Sequence, residues 1–530
     1  MEVLFVVPSM SPYLLQECRG ALELARILKS NGISVDLLRY WQIDSELDNF
    51  HRLISNITQY VKKSNPRIVS FYCRCDVYHI VLSASKEIKK HCPEITILFG
   101  GPQSAVSAQE TLRTFPFVDY ICCGEGETTI FPLVSSILSG HTDLSIDGLT
   151  YIREDGVIVQ NQLPKLIGDN YTIDYDYYQL IPRTVIKNSV QTTVEVGRGC
   201  PFNCSFCSSK TFWKRKFRLR NIDDILDEVQ YVYKTYGIKV MRFEHDIFTA
   251  DKKRLQMFCE RLIERNVPIS WRCSSRADTI DEKTILLMKK AGLTSIFFGI
   301  ETGSERMQNL IHKKLNISRT KKILQLCLDA GVKVTASFMY GFPQETEFDA
   351  SETLNLMCDL LDMGVQRVQA HLVDFLQGTE LFNKYKSELV FDGQVSNMAT
   401  RFGISDCSFM LQDSDIFSAF FDYPSELRFM LDRIEDFLRC YMRFRSSMRQ
   451  VRALMGGDAM AMYKSFKNAV TSLEIGKERK NEGLRVHKSR DLREGDIKMV
   501  KEFFSRIDQS IMGGVSVVFA EEANGGRLST

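Results

Sequence analysis

The chain has no long apolar run. None of its hydrophobic stretches reaches the ~18 residues that a membrane-spanning helix requires. The first residues, MEVLFVVPSMSPY, contain an apolar run, but no basic segment precedes it and Pro8 ends it. A secretory signal begins with basic residues, so we interpret this stretch as a buried first strand. The sequence therefore predicts neither a membrane-spanning segment nor a membrane as a partner.

An excess of charge of either sign is also missing. The 68 lysines and arginines nearly balance the 66 aspartates and glutamates, which leaves a formal net charge of +2. Such a chain has no overall electrostatic attraction to nucleic acid or to a membrane surface. We expect neither of them as a partner.

The cysteines lack the pattern of a disulfide framework. There are 15 of them, an odd number, and they are scattered through 530 residues. Scattered cysteines in a long chain are typical of reduced thiols, so we expect a cytoplasmic location. A chain of this length with 44% hydrophobic residues has enough material for two or three domains.

One short segment concentrates chemical function. Cys200, Cys204 and Cys207 follow a strand and two glycines in VEVGRGCPFNCSFC. This spacing allows one loop to surround a soft-metal centre with thiolates. Three thiolates are one fewer than the four that usually close a zinc or iron–sulfur site, so one metal position stays open. The alternatives are an ordinary cysteine-bearing turn and a zinc knuckle completed by a distant ligand, although a simple zinc site usually shows a second pair of ligands.

This segment resembles the cluster loop of the radical SAM superfamily. Cys200, Cys204 and Cys207 match its signature, and Gly199 and Phe206 stand where that family often has them. In the family, the three thiolates hold a [4Fe–4S] cluster whose fourth iron binds S-adenosylmethionine (SAM). An electron from the cluster then releases a 5′-deoxyadenosyl radical. The resemblance implies these cofactors, the three cysteines as metal ligands, Phe206 as a cofactor contact, and an electron donor such as flavodoxin or ferredoxin.

The first third of the chain alternates between strand and helix patterns. This alternation predicts a doubly wound parallel sheet in a domain of residues 1–140. The strands are expected at residues 2–7, 33–38, 67–72, 95–99 and 118–122.

Glycines stand at two of the predicted strand ends, where parallel sheets bind ligands. They are Gly100 and Gly101 in GGPQ, and Gly124 and Gly126 in GEGE. The fold and these turns resemble the cobalamin-binding domain that precedes many radical SAM cores. The resemblance implies cobalamin as a cofactor and the four glycines as its contacts. The Asp-x-His-x-x-Gly motif is missing, so no histidine from it ligates the cobalt. The alternative is a flavodoxin-like domain without a ligand.

The middle of the chain predicts a partial (β/α)6 barrel. Residues 141–185 form a linker with a β-ribbon, and six strand-and-helix units follow in residues 186–400. Ligands of such barrels lie at the carboxyl ends of the strands. The family resemblance therefore implies SAM contacts by Glu244 and Asp246, although the family's Gly-Gly-Glu triplet is missing, and by Glu301 and Ser304 in GIETGS. Charged strand ends also serve ordinary capping and solvation.

Beyond residue 400 no motif is recognised. Residues 401–520 are expected to be mainly helical and to cover the barrel mouth, and residues 521–530 to be disordered. Only Cys407 and Cys440 lie in this part, which is too few for a further iron–sulfur cluster.

Three functions are compatible with these features. The resemblance favours cobalamin-dependent methyl transfer to an unactivated centre of a small molecule or a peptide. The second possibility is radical-mediated cyclisation, rearrangement or oxidation. The third is a non-catalytic cobalamin or metal sensor. No catalytic residue is identified from the sequence.

Overall fold

The structure is a computed structural model. It describes residues 1–7, 19–39, 49–140, 144–181, 185–186, 189–391, 403–471, 473 and 489–507, with side chains from residue 494 onward in the last range. In these ranges, no helix combines the length and the apolar composition that crossing a membrane requires.

The first sheet has seven strands in the order β2-β1-β3-β4-β5-β6-β7. The pairs from β2 to β5 are parallel, whereas β6 and β7 are antiparallel additions. The strands are β1 (Val3–Val7), β2 (Val35–Arg39), β3 (Ile68–Tyr72), β4 (Thr96–Gly100), β5 (Tyr120–Cys122), β6 (Leu149–Ile152) and β7 (Ile158–Gln160).

Strand β1 explains why this sheet has helices on both faces. Val3, Phe5 and Val7 belong to one hydrophobic core, and Leu4 and Val6 to another. Because strand side chains alternate between faces, a continuous apolar run must be covered on both sides. The covering helices are α1 (Arg19–Ser30), α2 (Phe50–Ser64), α3 (Tyr78–His91), α4 (Pro102–Val106), α5 (Ala108–Thr114) and α6 (Ile130–Ser139). The predicted doubly wound parallel sheet is confirmed.

The predicted β-ribbon exists, but it does not stand alone in a linker. Its strand β6 pairs with β5, with Thr150 opposite Ile121. Leu149 and Thr150 are fully buried, so the ribbon gains a core by extending the first sheet.

The second sheet has six parallel strands in chain order, as the prediction of a partial barrel requires. A separate two-stranded ribbon, β9 (Gly197–Arg198) with β10 (Arg218–Leu219), lies next to the cysteine loop. The six strands are β8 (Gln191–Glu195), β11 (Val240–Glu244), β12 (Ser270–Ser275), β13 (Leu293–Glu301), β14 (Lys333–Tyr340) and β15 (Arg367–Leu372). The helices between them are α7 (Ser209–Trp213), α8 (Ile222–Tyr236), α9 (Lys252–Arg265), α10 (Glu282–Lys290), α11 (Glu305–Leu310), α12 (Ile317–Asp329), α13 (Glu347–Met363) and, after β15, α14 (Glu380–Tyr385).

The two faces of the second sheet differ in polarity. Met241, Trp271 and Phe298 are buried in the core that the helices share. Arg242 and Arg272, on the opposite face, are only half-buried. The helix-free inner face of the partial barrel is therefore not filled by an apolar core.

The C-terminal part divides into two regions with different neighbours. Residues 403–421 return to the first sheet, where Gln103 Nε2 donates to the carbonyl of Ile416 at 2.7 Å. The later helices pack along α13 and β15, and the Tyr441 hydroxyl lies 3.1 Å from Asp362 Oδ1. They therefore protect the free edge of the second sheet, which corrects the expectation that this whole segment covers the barrel mouth. The helices are α15 (Ser414–Phe417), α16 (Glu426–Met430), α17 (Ile434–Arg443), α18 (Arg445–Leu454), α19 (Ala459–Thr471) and α20 (Ser489–Arg506). The predicted disordered tail, residues 521–530, lies outside the described residues.

Candidate functional site

The cysteine loop follows β9 at the carboxyl end of β8. Gly199 has a φ of +86°, and a Cβ atom there would lie 2.1 Å from the carbonyl oxygen of Lys216. Only glycine fits such a left-handed turn against neighbouring backbone. The glycine before the first cysteine is thus required by the path of the loop.

The three cysteines of the loop are half-buried and carry free thiols. Backbone bonds anchor the loop, because the amide of Ser205 donates to Ile311 and the amide of Leu381 donates to Ser205, both at 3.0 Å. Among the described residues, no three His, Cys, Asp or Glu side chains converge as they would on a single metal ion. Three thiolates on one short loop are the ligand set of a [4Fe–4S] cluster with one iron left open, and the three cysteines as its ligands stay a prediction.

Arg276, at the end of β12, holds a positive charge beside this loop. Its Nη1 lies 3.8 Å from Cys204 Sγ, and its Cζ lies 3.8 Å from the ring centroid of Phe202. Asp278 accepts from its Nε at 3.0 Å and its Nη2 at 2.9 Å, and the Lys313 carbonyl accepts from Nη2 at 2.8 Å. A guanidinium fixed this way offsets negative charge on the sulfur. Arg276 was not among the site residues predicted from the sequence, although an arginine directly after a barrel strand is a usable signal.

Asp246 and Glu244, at the end of β11, have different roles in the structure. Asp246 Oδ2 accepts from the amide of Gly199 at 3.1 Å and from Ser209 Oγ at 3.0 Å, so it supports the cysteine loop. Glu244 is exposed and pairs with Arg242 Nε at 3.0 Å. A contact of either carboxylate with SAM stays a prediction.

Glu301 ends β13 in a strained conformation. Its φ is +72°, which non-glycine residues rarely adopt, and its buried carboxylate lies 2.9 Å from Lys313 Nζ. Strain of this kind costs about 1–3 kcal/mol and is concentrated at functional sites. The predicted SAM contact of Glu301 is untested, but the backbone outlier favours a functional constraint there.

Ser304 is a helix cap in this structure. It is fully buried, its hydroxyl donates to Asp349 Oδ1 at 2.6 Å, and it accepts from the amide of Met307 at 3.3 Å. These bonds occupy the hydroxyl at the start of α11. The structure thus supplies a structural reason for this residue, and its predicted SAM contact stays untested.

Two aromatic rings connect the cysteine loop to the turn after β14. Phe206 and Phe342 meet edge to face with ring centroids 6.1 Å apart. The amide of Gly341 in this turn donates to Glu345 Oε2 at 2.6 Å. Burial raises the pKa of Glu345 to about 7, and its Oε1 has no hydrogen-bond partner in the described part of the chain. The contact of Phe206 with a cofactor stays a prediction, and Glu345 is a residue that the sequence analysis missed.

The glycines after β4 face different surroundings. A Cβ atom on Gly101, whose φ is +110°, would lie 2.7 Å from the carbonyl oxygen of Cys73. A Cβ atom on Gly100 would have no described atom within 4 Å. Gly100 is therefore the position of this pair that leaves space for a ligand.

The glycines after β5 pack against the protein itself. A Cβ atom would lie 2.9 Å from Pro164 Cδ at Gly124 and 3.0 Å from Leu24 Cδ1 at Gly126. Internal packing is sufficient to explain both glycines. Their predicted contact with cobalamin stays untested, as it does for Gly100 and Gly101.

The acidic residues of the same turn bind the base of the cysteine loop. Glu125 Oε1 lies 2.8 Å from Arg218 Nη1 and 3.0 Å from Arg198 Nη1. Glu127 Oε1 lies 2.7 Å from Arg198 Nη2. Since Arg198 is two residues before Cys200, these ion pairs join the carboxyl edge of the first sheet to the loop.

Two family models match the regions that carry this site. The model of the radical SAM superfamily matches residues 194–357, which include the cysteine loop and the ends of β11 to β14. The model of the B12 binding domain matches residues 14–133, which include both glycine turns. The chain is a radical SAM protein with a B12-binding domain.

Curated relatives of this radical SAM protein have several activities. It is 31% identical over 303 residues to an uncharacterized methyltransferase of Pyrococcus horikoshii, covering 57% of this chain and 66% of that protein. It is 29% identical over 293 residues to the anaerobic magnesium-protoporphyrin IX monomethyl ester cyclase of Rubrivivax gelatinosus, covering 52% of this chain and 51% of the cyclase. The chain thus spans between half and two thirds of the length of these relatives.

Solved structures share the fold at low sequence identity. The cobalamin-dependent SAM radical enzyme OxsB, solved with aqua-cobalamin and SAM bound, superimposes with a TM-score of 0.65 at 15% identity, covering 96% of this chain and 81% of OxsB. The radical SAM methyltransferase TsrM from Kitasatospora setae, solved with cobalamin and a [4Fe–4S] cluster, gives a TM-score of 0.60 at 15% identity and covers 73% of this chain and 75% of TsrM. The radical SAM protein described here therefore shares their domain arrangement. The cofactors that its two families imply are a [4Fe–4S] cluster, SAM and cobalamin.

Proposed function

We propose that this protein is a cobalamin-dependent radical SAM methyltransferase that acts on an unactivated carbon or phosphorus centre. The observation that carries the proposal is the presence of a B12-binding domain and a radical SAM domain in one chain, with ion pairs of Glu125 and Glu127 to Arg198 and Arg218 between them. It joins the predicted cobalamin edge to the base of the predicted cluster loop. A methyl group would then have a short path from one cofactor to a centre activated by the other.

The residues of the chain would divide the work between them. Cys200, Cys204 and Cys207 would hold the cluster, while Arg276 keeps a fixed positive charge beside Cys204. When bound, the cluster and SAM supply a 5′-deoxyadenosyl radical, and cobalamin supplies a methyl group. The packed domains would exclude water and oxygen from the space between the two edges.

The partners follow from the family and are part of the proposal. Radical SAM enzymes need a reductant, and we propose flavodoxin or ferredoxin for this chain. The substrate is a small molecule or a peptide. The 14 cysteines that the structure describes are all free thiols, which supports the proposed cytoplasmic location.

A second candidate is radical-mediated cyclisation. The similarity to the Rubrivivax gelatinosus cyclase favours it, because that relative is nearly as similar in sequence as the methyltransferase of Pyrococcus horikoshii. The two candidates use the same residues to hold the cofactors. They differ in whether a methyl group leaves SAM.

The products of SAM distinguish these candidates. The full-length protein is reconstituted anaerobically with iron, sulfide and hydroxocobalamin, and given SAM, a reductant and an extract of small metabolites. A methyltransferase forms both S-adenosylhomocysteine and 5′-deoxyadenosine. A cyclase or another oxidative enzyme forms 5′-deoxyadenosine alone, and a sensor forms neither. Either of the last two results would overturn the methyl-transfer proposal.

A further inference from the structure

The inner face of the partial barrel carries a level of polar residues on four neighbouring strands. In the strand register, Thr193 is opposite Arg242, Arg242 is opposite Arg272, and Arg272 is opposite Ser295. Partners in parallel strands project to the same face, here the face away from the helices. The interior of a closed (β/α)8 barrel is normally filled by branched apolar residues, so this polar level, the arginine level, needs a different explanation.

Arg272 is the unusual member of the arginine level. It is half-buried, and in the described ranges it forms no hydrogen bond or ion pair; its Nε is fully enclosed. Arg242 is different, because it is paired with Glu244. Burial and the charge of Arg242 lower the pKa of Arg272 from its usual value, and the charge of Glu244 offsets only part of this effect. A guanidinium taken from water without a carboxylate in hydrogen-bond contact is costly, so a counter-anion is expected at this place.

Thr193 provides a second and independent observation. Its side chain is more than nine-tenths buried, and its Oγ1 has no hydrogen-bond partner among the residues that the structure describes. In folded proteins nearly all such hydroxyls are bonded. Arg242 is the strand neighbour of both Thr193 and Arg272, so the two unsatisfied groups belong to one level.

The depth of the arginine level fits one end of a substrate. Arg276, which touches the cysteine loop, is four residues after Arg272 on the same strand and turn. At about 3.3 Å per residue, the level lies roughly 13 Å from the loop. If one end of a molecule is held at this level, its atoms about a nanometre from that end would lie near the cofactors.

We propose that the arginine level binds an oxyanion of the substrate, a carboxylate or a phosphoryl group, through Arg272 with help from Arg242 and Thr193. This inference rests on the proposed function, since it assigns a substrate class to the same site. Arginine presents a planar fork of N–H donors that matches carboxylate and phosphate oxygens. The substrate is accordingly an anionic molecule whose charged group is distant from the centre that reacts.

The first test is direct anion binding to the full-length protein. Isothermal titration calorimetry at constant ionic strength uses inorganic phosphate and acetate as probes, with chloride as the background anion. The wild type should bind at least one probe, and the stronger one shows whether the site prefers phosphoryl or carboxylate groups. In Arg272→Met the dissociation constant should rise about tenfold or more. Arg319→Met, at an exposed position on α12, is the matched control and should bind like the wild type.

The second test is thermal melting, which separates a ligand site from a structural arginine. In chloride buffer, Arg272→Met should melt at a higher temperature than the wild type, because it removes a partly buried charge that has no contacting carboxylate among the described residues. Phosphate or acetate should then stabilise the wild type and not the variant. If Arg272 has only a structural role, Arg272→Met should instead melt at a lower temperature than the wild type. If Arg272→Met does not fold, Thr193→Val decides instead, and equal binding of phosphate and acetate by the wild type and Thr193→Val would then overturn the anion site.

The remaining outcomes separate this inference from the proposed function. Equal binding of phosphate and acetate by the wild type and Arg272→Met, or no binding by the wild type, would overturn the anion site. The wild type's formation of S-adenosylhomocysteine and 5′-deoxyadenosine is measured separately. Anion binding without these products would contradict the methyltransferase and leave the anion site standing.

Discussion

Glu301 and Lys313 form a buried ion pair, in which Glu301 has left-handed backbone geometry. The carboxylate and the ammonium are 2.9 Å apart, and the Lys313 carbonyl also accepts a bond from Arg276. The strand end expected to meet SAM is therefore coupled to the residue beside the cysteine loop.

Replacing Glu301 tests whether this pair serves stability, SAM binding or both. Glu301→Gln leaves the Lys313 ammonium without its anion, so the free energy of unfolding should fall by about 3 kcal/mol. The double variant Glu301→Gln, Lys313→Met should recover most of that loss, as urea unfolding would show. If Glu301 also contacts SAM, the double variant stays defective in forming 5′-deoxyadenosine. Recovery of SAM cleavage together with stability would make Glu301 structural only.

Arg276 is expected to tune the cluster. Arg276→Gln removes the positive charge near Cys204 Sγ, which should make addition of an electron harder and lower the midpoint potential. The expected shift is on the order of 60 mV, a tenfold change for a one-electron couple. Redox titration followed by electron paramagnetic resonance measures it, with iron content as the check on assembly. An unchanged potential at full iron content would show that Arg276 only positions the loop.

The two glycines after β4 are a matched pair for testing cobalamin binding. Gly100→Val adds a side chain where the structure has space, so melting should change little while retention of hydroxocobalamin after desalting falls several-fold. Gly101→Val forces a side chain against the backbone of Cys73 and should destabilise the fold itself. Full cobalamin retention by a stable Gly100→Val would place the cofactor away from this turn.

Glu345 should make stability depend on pH. Its folded pKa, about 7, is above the ordinary value of 4.5, so between these values the folded state binds more protons than the unfolded state. The stabilisation from protonated Glu345 is therefore fully present below pH ~4.5 and is lost as the pH rises through ~7. The free energy of unfolding falls by about 3 kcal/mol over this range. Urea unfolding of the wild type and Glu345→Gln across this range gives the difference. A constant difference would mean that Glu345 titrates normally.

The sequence predicted those features that depend on local pattern. Alternating apolar strands and helices are sufficient for both sheets, and the Cys-x3-Cys-x2-Cys spacing is sufficient to locate the loop. The pairing of Thr150 with Ile121 and the return of Ile416 to the first sheet depend on which surfaces remain uncovered, which no local pattern records. The packing of Gly124 against Pro164 likewise became visible only once distant segments were brought together.

The candidate site shows the same division. The roles of Arg276 and Glu345 depend on burial or on partners that are distant in the chain. Arg276, for example, approaches Cys204, which is 72 residues away in the sequence. Ser304 matched a family turn, yet its cap bonds required knowledge of where Asp349 lies. Motifs therefore located the turns, whereas the hydrogen bonds of individual side chains depended on the three-dimensional structure.

The measurement that tests the central claim most directly is SAM turnover by the wild type and by the variant with Cys200, Cys204 and Cys207 replaced by alanine. Both proteins are reconstituted anaerobically and analysed for iron and for 5′-deoxyadenosine. The account predicts about four irons and 5′-deoxyadenosine formation for the wild type, and loss of both in the triple variant. Full iron content in the triple variant, or no 5′-deoxyadenosine from an iron-loaded wild type, would contradict it.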